Sequence, residues 1–359
     1  MRVGIALPTL VDGDAVGNDV FGMARVLRGR GHDVTFFAWT SHISEPVKGP
    51  DDLPRMLNRP DDVLIYHHSI GCEWGVRAVE RFPGRAAVKY HNVTPPEFFA
   101  SANTEVAAGC ALGVKQVGRL AKTAAAIWAD SAFNAADFTA AVPGRAVAEL
   151  PPFTHAEHLA AIEPDYRAVA GLDDWATNLL VVGRLVANKD IPLAVRTLAA
   201  YRAAFDPRAR LIVVGDRPVP EHAALVDAAI LDHKQEGHVL VTGKVTAAQL
   251  KALYLTADAL LVTSKHEGFC VPLVEAMGLR LPVVAVPNAA VPATGGDAAR
   301  YAPADPAALA AELHAVITDP EAREAQLERG RKRAGGFGTA AVAARFGELF
   351  DGLLASGGR

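Results

Sequence analysis

Cysteine is scarce: Cys72, Cys110 and Cys270 are the only three in 359 residues, far apart and without a CxxC pair. This excludes a zinc ribbon and a disulfide framework, and it predicts a reducing compartment such as the cytosol. No apolar run approaches the ~18 residues that a membrane-spanning helix needs. The opening MRVGIALPTL runs straight into a strand-like pattern, without the charged region, apolar core and cleavage site of a leader. The expectation is a soluble cytoplasmic protein, at most peripheral on the inner face of a membrane. Charge of one sign is also missing: the formal net charge is -4, and no Lys/Arg block exceeds Arg331-Lys332-Arg333. Nucleic acid is therefore not an expected partner.

Apolar residues make up 50% of the chain, enough for two cores, and 359 residues exceed what one core usually organises. Short β-rich runs alternate with Ala-rich helical segments, the pattern of parallel sheets covered by helices. One series comprises VGIALP from Val3, VTFFAW from Val34, DVLIYHH from Asp62, AAVKYHN from Ala86, AIWADS from Ala126 and AVAELPP from Ala146. A second comprises LLVVGRL from Leu179, RLIVVGD from Arg210, HVLVTGKV from His238, ALLVTS from Ala259, PVVAV from Pro282 and, more weakly, ARYA from Ala299. Residues 151–178 between them show no strand signal and read as a linker with a connecting helix. The reading is an α/β protein of two doubly wound, Rossmann-like domains, residues 1–155 and 172–338, facing each other across a cleft between their strand-end loops. Val342, Phe346, Leu349, Phe350 and Leu353 recur at helical spacing, which predicts a packed amphipathic helix over 339–355.

Several stretches are candidates for chemistry, and each has a plainer reading beside it. Gly13 and Gly17, between the first strand and a helix, would let backbone N–H groups approach a phosphate or sugar. The stretch lacks the GxGxxG spacing of a dinucleotide site. Asp12-Gly13-Asp14 spells DxD, but Asp and Gly are turn formers and no further carboxylate cluster supports a metal. VGRLVANKD at 182–190 approaches the phosphate-binding GxxxxGK[ST], except that Asn188 and Asp190 stand where Gly and a hydroxyl belong, so a nucleoside triphosphatase is not expected. What survives is a cation pair, Arg184 and Lys189, suited to a diphosphate or simply solvated. His67, His68 and His91 fall at strand ends, with His42 in a loop, as structural or site residues. Ser69 in HHSIG lacks the nucleophile elbow of a serine hydrolase. Lys115, Arg119 and Lys122 form a helical stripe that is either a solvated face or a contact for anionic lipid or a phosphorylated acceptor.

SKHEGFCVPLVEAMG at 264–278 puts two glutamates around an otherwise apolar strand-to-helix connection. ALLVTS reads as a buried strand, and Pro272 suits the start of a helix that Gly278 stops. Glu267 then sits on the loop and Glu275 one turn into the helix, whose N-terminus attracts anions. Carboxylates accept hydrogen bonds from vicinal hydroxyls, so a sugar at one end and a ribose at the other suit two glutamates that flank a diphosphate. The plainer reading of Glu275 is complementation of the helix dipole.

HEGFCVPLVEAM, with GRLVANKD and TGKVTAAQLKALYLTADALLVTS, resembles the retaining glycosyltransferases of family 4, which have the GT-B fold. The likeness covers most of the chain and is looser in the first domain, through the Gly13–Gly17 turn, KYHNVTPPEFF and WADSAFNAADF. It implies that Glu267 and the backbone of Gly268 and Phe269 hold donor-sugar hydroxyls, that Glu275 holds the ribose, and that Arg184 and Lys189 neutralise the leaving diphosphate. Val245 falls where such enzymes contact the base, His91 near the sugar's O6 and anomeric carbon, and Gly17 on the loop that meets donor phosphate or acceptor. The helix at 339–355 would return to the first domain. Cys270 stands where the family often has glycine, the loop GDAVGN lacks the adjacent glycine pair, and Ala293 replaces a frequent Glu.

The expectation is a retaining, metal-independent hexosyltransferase without a cofactor, moving a mannose- or glucose-type sugar from a nucleoside-diphosphate donor to an acceptor hydroxyl. The segment VPATGGDAARYAPADPAAL resembles relatives in surface-polysaccharide assembly, so polysaccharide or glycoconjugate synthesis is the expected setting, with a lipid-linked or small glycoside acceptor. A nucleotide-sugar epimerase, a phosphorylase on the same fold and a non-catalytic nucleotide-sugar-binding protein are the alternatives.

Overall fold

The computed structural model describes residues 1–100, 103–172 and 176–355. The chain forms two compact units, Met1–Thr154 with Phe337–Arg359, and His155–Gly336. Each unit is a single, wholly parallel sheet covered on both faces.

In the first unit β1 (Arg2–Val11), β2 (Asp33–His42), β3 (Val47–Lys48), β4 (Val63–His68), β5 (Arg85–Tyr90), β6 (Ala126–Ala129) and β7 (Ala148–Glu149) lie in the order β3-β2-β1-β4-β5-β6-β7. In the second, β8 (Asn178–Val182), β9 (Arg210–Val214), β10 (Val239–Gly243), β11 (Ala259–Val262), β12 (Val283–Ala285) and β13 (Arg300–Tyr301) lie in the order β10-β9-β8-β11-β12-β13. All twelve apolar runs of the sequence are strands, because both faces of a parallel sheet are buried and its strands must be apolar nearly throughout. The two-residue β3 is too short to leave such a pattern.

Strand alternation splits the first unit's core in two. Val3, Ile5, Val63, Ile65 and Trp128 pack on one face with Val20, Met23 and Leu27 of the helix Ala15–Gly29. Ala6, Leu64, Tyr66, Val88 and Tyr90 pack on the other with Val117 and Leu120 of the helix Thr104–Thr123. Val342, Phe346, Phe350 and Leu353 of the helix Thr339–Ala355 join the first of these clusters, where Phe346 meets Trp128 edge to face. Residues 155–171, expected as linker, belong to the second unit: the Asp165 amide donates to Ala248 O, and Lys251 Nζ donates to Ala160 O and Ile162 O. Asp173, Asp174 and Trp175 of that stretch lie outside the described residues. Among the described residues no helix is long and apolar enough to cross a membrane.

Each strand order reverses once, between β1 and β4 and between β8 and β11. In doubly wound sheets such switch points leave a crevice beyond the strands' carboxyl ends, and ligands bind there.

Candidate functional site

At the second unit's switch point the backbone is nearly bare. β8 runs into Gly183, β9 into Gly215 and β10 ends in Gly243, and Gly215 takes a positive φ of 155°. A Cβ on Gly215 would lie 2.1 Å from the Gly183 carbonyl oxygen, so the two strand ends meet only because that side chain is missing. After β8 a short turn, Ala187–Lys189, folds back, and Asp190 adopts a left-handed φ of 45° before Pro192 opens the helix Ile191–Ala204. The turn is locked to the loop after β11: the Lys265 amide donates to Asn188 O at 2.8 Å, Asn188 Nδ2 to His266 O at 3.1 Å and Thr263 Oγ1 to Lys189 O at 2.9 Å. Lys265 also pairs with Asp190 at 2.9 Å.

This lock aims Lys189 Nζ at Glu267 Oε1, 2.5 Å away, and Ser264 Oγ donates to the same oxygen at 2.6 Å. Burial alone would lower the Lys189 pKa, but the Glu267 charge and hydrogen bond outweigh it and hold the ammonium charged. Glu267 Oε2 has no partner among the described residues. Arg184, by contrast, is exposed and has no ion-pair partner among them. Glu275 repeats the half-engaged arrangement: the buried Tyr254 hydroxyl donates to its Oε2 at 2.7 Å, and burial raises its pKa. Each glutamate thus keeps one oxygen for a hydroxyl donor.

Cys270 immediately precedes the helix Val271–Gly278 in the left-handed region, φ 72° and ψ 69°, and its side chain caps no helical N–H. That backbone costs an L-residue about 1–2 kcal/mol and suits glycine. Phe269 is buried, and its carbonyl accepts from Thr294 Oγ1 at 2.5 Å; Gly268 is half-buried beside it. Val245 is half-buried and directly precedes Thr246, which with Gln249 forms a capping box on the helix Ala247–Thr256.

The first unit's switch point is built differently. Asp14 caps the helix Ala15–Gly29 by accepting from the Gly17 amide at 2.6 Å, so DGD is a turn and a cap. Gly17 is there because a Cβ would lie 2.0 Å from Val11 O, and its N–H is engaged within the chain. Beyond it, Asp19 from this helix, His67 from β4, Lys89 from β5, His91 directly after it and Asp130 after β6 converge. His91 Nδ1 meets Asp130 Oδ2 at 3.0 Å and His91 Nε2 meets His67 Nδ1 at 2.9 Å, with the two rings stacked. Lys89 Nζ donates to Asp130 Oδ1 and, at 2.6 Å, to Leu150 O. Both ring nitrogens of His91 are therefore engaged within the chain.

Burial raises the Asp19 carboxyl. It opposes the lowering of Asp130 too, but the His91 and Lys89 charges prevail there. Burial pushes His67 well down, so its imidazole is neutral. His68, on the other face of β4, turns away to Gly113 O and the Tyr66 hydroxyl, and burial lowers its pKa to about 4. His42 ends β2, exposed, and takes no part. Asp19, His67 and His91 offer three atoms within 4.8 Å of one another, the one such group among the described residues. Two of those atoms already share a hydrogen bond and Lys89 Nζ lies 3.8 Å from Asp19 Oδ2, so the space is suited to a proton and not to a divalent ion. In the basic stripe, Arg119 is engaged by Glu73 and Glu80 while Lys115 and Lys122 are exposed.

Asp19, Lys89, Asp130, Tyr254 and Ser264 went unnoticed in the sequence. Lys89 had a signal: a lysine inside the apolar run AAVKY must find a buried partner.

Residues 163–333, within the second unit, match the sequence model of the family "Glycosyl transferases group 1". The MMP α-(1→4)-mannosyltransferase of Mycolicibacterium hassiacum is 28% identical over 160 residues, 42% of this chain and 37% of that protein, so the match spans well under half of the curated relative. Among solved structures, sucrose-phosphate synthase from Thermosynechococcus elongatus superposes with a TM-score of 0.77 at 18% identity, covering 99% of this chain and 100% of that one. Anabaena Alr3699/HepE in complex with UDP-glucose superposes with a TM-score of 0.76 at 17% identity, covering 97% and 99%. The fold is the two-unit α/β architecture of GT-B proteins. Together the matches support a glycosyltransferase.

Proposed function

We propose that this protein transfers a hexosyl group, of mannose or glucose type, from a nucleoside-diphosphate sugar to an acceptor hydroxyl, with retention of anomeric configuration. The observation that carries this reading is the half-engaged Glu267, tied through Oε1 to Lys189 and open at Oε2, at a switch point whose backbone is bare. Lys189 and Arg184 supply positive charge for the leaving diphosphate, the kind of stabilisation that is larger in the transition state than in the ground state. Glu267 Oε2, with the backbone at Gly268 and Phe269, takes sugar hydroxyls; Glu275 takes the ribose and the Val245 backbone the base. Gly17 and His91 belong to the acceptor-side unit. In this scheme the departing phosphate oxygen accepts the acceptor's proton as the glycosidic bond forms on the same face, so no protein nucleophile is required. Two cations at the diphosphate make a divalent metal unnecessary there. The UDP-glucose complex of the Anabaena protein supports a nucleotide-sugar donor, and the mannosyltransferase relative supports a hexosyl group. The acceptor class proposed is a lipid-linked or small glycoside in polysaccharide or glycoconjugate assembly, with the protein cytoplasmic or peripheral on the membrane's inner face.

The test is a panel of UDP-, GDP- and ADP-hexoses scored first by thermal stabilisation and then by transfer to alkyl glycosides, with product configuration read by NMR. A donor that stabilises the protein and gives an α-linked product from an α-donor supports the proposal. An inverted product sinks the mechanism, and donor consumption without an acceptor points to an epimerase.

A further inference from the structure

Glu267 and Glu275 stand on different elements of the second unit, yet each is held from behind by a buried hydroxyl. Tyr254, on the helix Ala247–Thr256, is 1% exposed and donates to Glu275 Oε2 at 2.7 Å. Ser264, just after β11, is 3% exposed and donates to Glu267 Oε1 at 2.6 Å. At that depth neither hydroxyl can meet a ligand directly, so any part it has in binding passes through its glutamate.

A carboxylate turns easily about its last bond, and a donor fixed on one oxygen decides where the other points. Glu275 Oε1 and Glu267 Oε2 are the oxygens left without a partner among the described residues. Burial, with the Glu275 charge adding to it, raises the Tyr254 pKa well above its ordinary value, so this hydroxyl keeps its proton and remains a donor. Its bond also opposes the rise that burial imposes on Glu275. At the other glutamate, Lys189 shares Oε1 with Ser264, but an ammonium has two further protons to offer a diphosphate. Ser264 has a single proton, and Glu267 takes it. The plainer account is that a buried tyrosine needs an acceptor for its own sake and Glu275 supplies one. The two accounts differ in what a bound ligand would feel.

We propose that Tyr254 and Ser264 are positioning residues for the two ends of the donor: Tyr254 aims Glu275 Oε1 at the ribose hydroxyls, and Ser264 aims Glu267 Oε2 at the transferred sugar. This rests on the donor seat proposed above and adds that its two ends are set independently, by hydroxyls on different elements.

The test is calorimetric titration of the full-length protein, without acceptor, with whichever of UDP, GDP and ADP binds, its 2′,3′-dideoxy form, and its glucose or mannose conjugate. Tyr254→Phe should weaken the diphosphate and the conjugate by the same factor, about tenfold, the scale of one hydrogen bond to a charged group, and the dideoxy form by less than about threefold. Ser264→Ala should leave the diphosphate within about threefold and raise the ratio of conjugate Kd to diphosphate Kd about tenfold. A purely structural role gives one uniform factor for all three ligands in each variant, and that result overturns the inference. So does a wild-type protein that binds the dideoxy and parent diphosphates equally, which decides the ribose end even if Tyr254→Phe does not fold. A wild-type protein that binds none of the diphosphates removes the proposed function and this inference together, whereas uniform losses in a protein that binds and transfers remove this inference alone.

Discussion

The two switch points occupy equivalent places in equivalent sheets, yet one is filled and the other left open. Beyond β1 and β4 the space is packed with charged groups that face one another: Lys89 and Asp19 are fully buried, and the His91 ring is nearly so. Beyond β8 and β11 strand ends are trimmed to glycine, Arg184 is exposed, and Glu267 and Glu275 each keep an oxygen unpaired. A doubly wound sheet supplies the location in both cases. What the loops contribute decides whether it becomes a scaffold for a group or a seat for a ligand.

This contrast is sharpened most by removing a lysine from each side. Lys89→Met should destabilise the protein by about 3–5 kcal/mol, since it strands two buried carboxylates. Calorimetry would measure the loss, and hydrogen exchange should show it confined to the first unit. Lys189→Ala should cost less stability, since Ser264 Oγ still donates to Glu267 Oε1, while lowering transfer kcat about 10²–10³-fold, the scale of losing one transition-state contact. Equal stability losses from the two variants would erase the distinction between scaffold and seat.

Acid separates the units next. His68 is held neutral in the folded state, its pKa lowered by burial from 6.5 to about 4, so the unfolded chain binds the proton more tightly. The stability this group contributes is complete above pH 6.5 and is lost as pH falls towards 4, by roughly 3 kcal/mol at most. His67 adds in the same direction. Glu275 in the second unit has the opposite sign: its raised pKa is a strain at neutral pH that acid relieves. Denaturant unfolding at pH 7.5 and 4.5 should show the first unit weakened more, and His68→Gln should flatten its slope. A pH response that is equal in both units would break the comparison.

The smallest effect concerns Cys270. Cys270→Gly removes about 1 kcal/mol of left-handed strain and loses a buried thiol, for a net change within about 1 kcal/mol. Cys270→Val, which cannot relax that backbone, should lower the melting temperature clearly.

The strands and the two-sheet architecture were legible because a strand buried on both faces leaves a continuous apolar run that no helix of that length imitates. Lys189 and Glu267, 78 residues apart, could be marked separately because each stands on a loop at a strand's carboxyl end; that they meet at 2.5 Å depends on Asn188, whose hydrogen bonds to Lys265 and His266 no pattern advertises. The DGD turn kept its plainer meaning because Asp14 is a helix cap. Asp19 and Asp130 were invisible for a different reason. Asp130 falls inside AIWADS and Asp19 inside the first helix, stretches that have an ordinary explanation, and only the folded chain reveals that they share a lysine. Residues 155–171 lacked strand periodicity, and short helical turns that dock through backbone carbonyls leave no apolar signature.

The helix Thr339–Ala355 completes the first unit's core with Val342, Phe346, Phe350 and Leu353, although the second unit intervenes in the chain. During synthesis the second unit, continuous in sequence, can close as soon as it emerges, whereas the first must wait for a helix that follows the second. Its Trp128 has no Phe346 to pack against until the intervening unit has been made. The order of assembly therefore runs against the order of the two units in the chain. Truncation before Thr339 would cripple the unit that precedes the other in sequence.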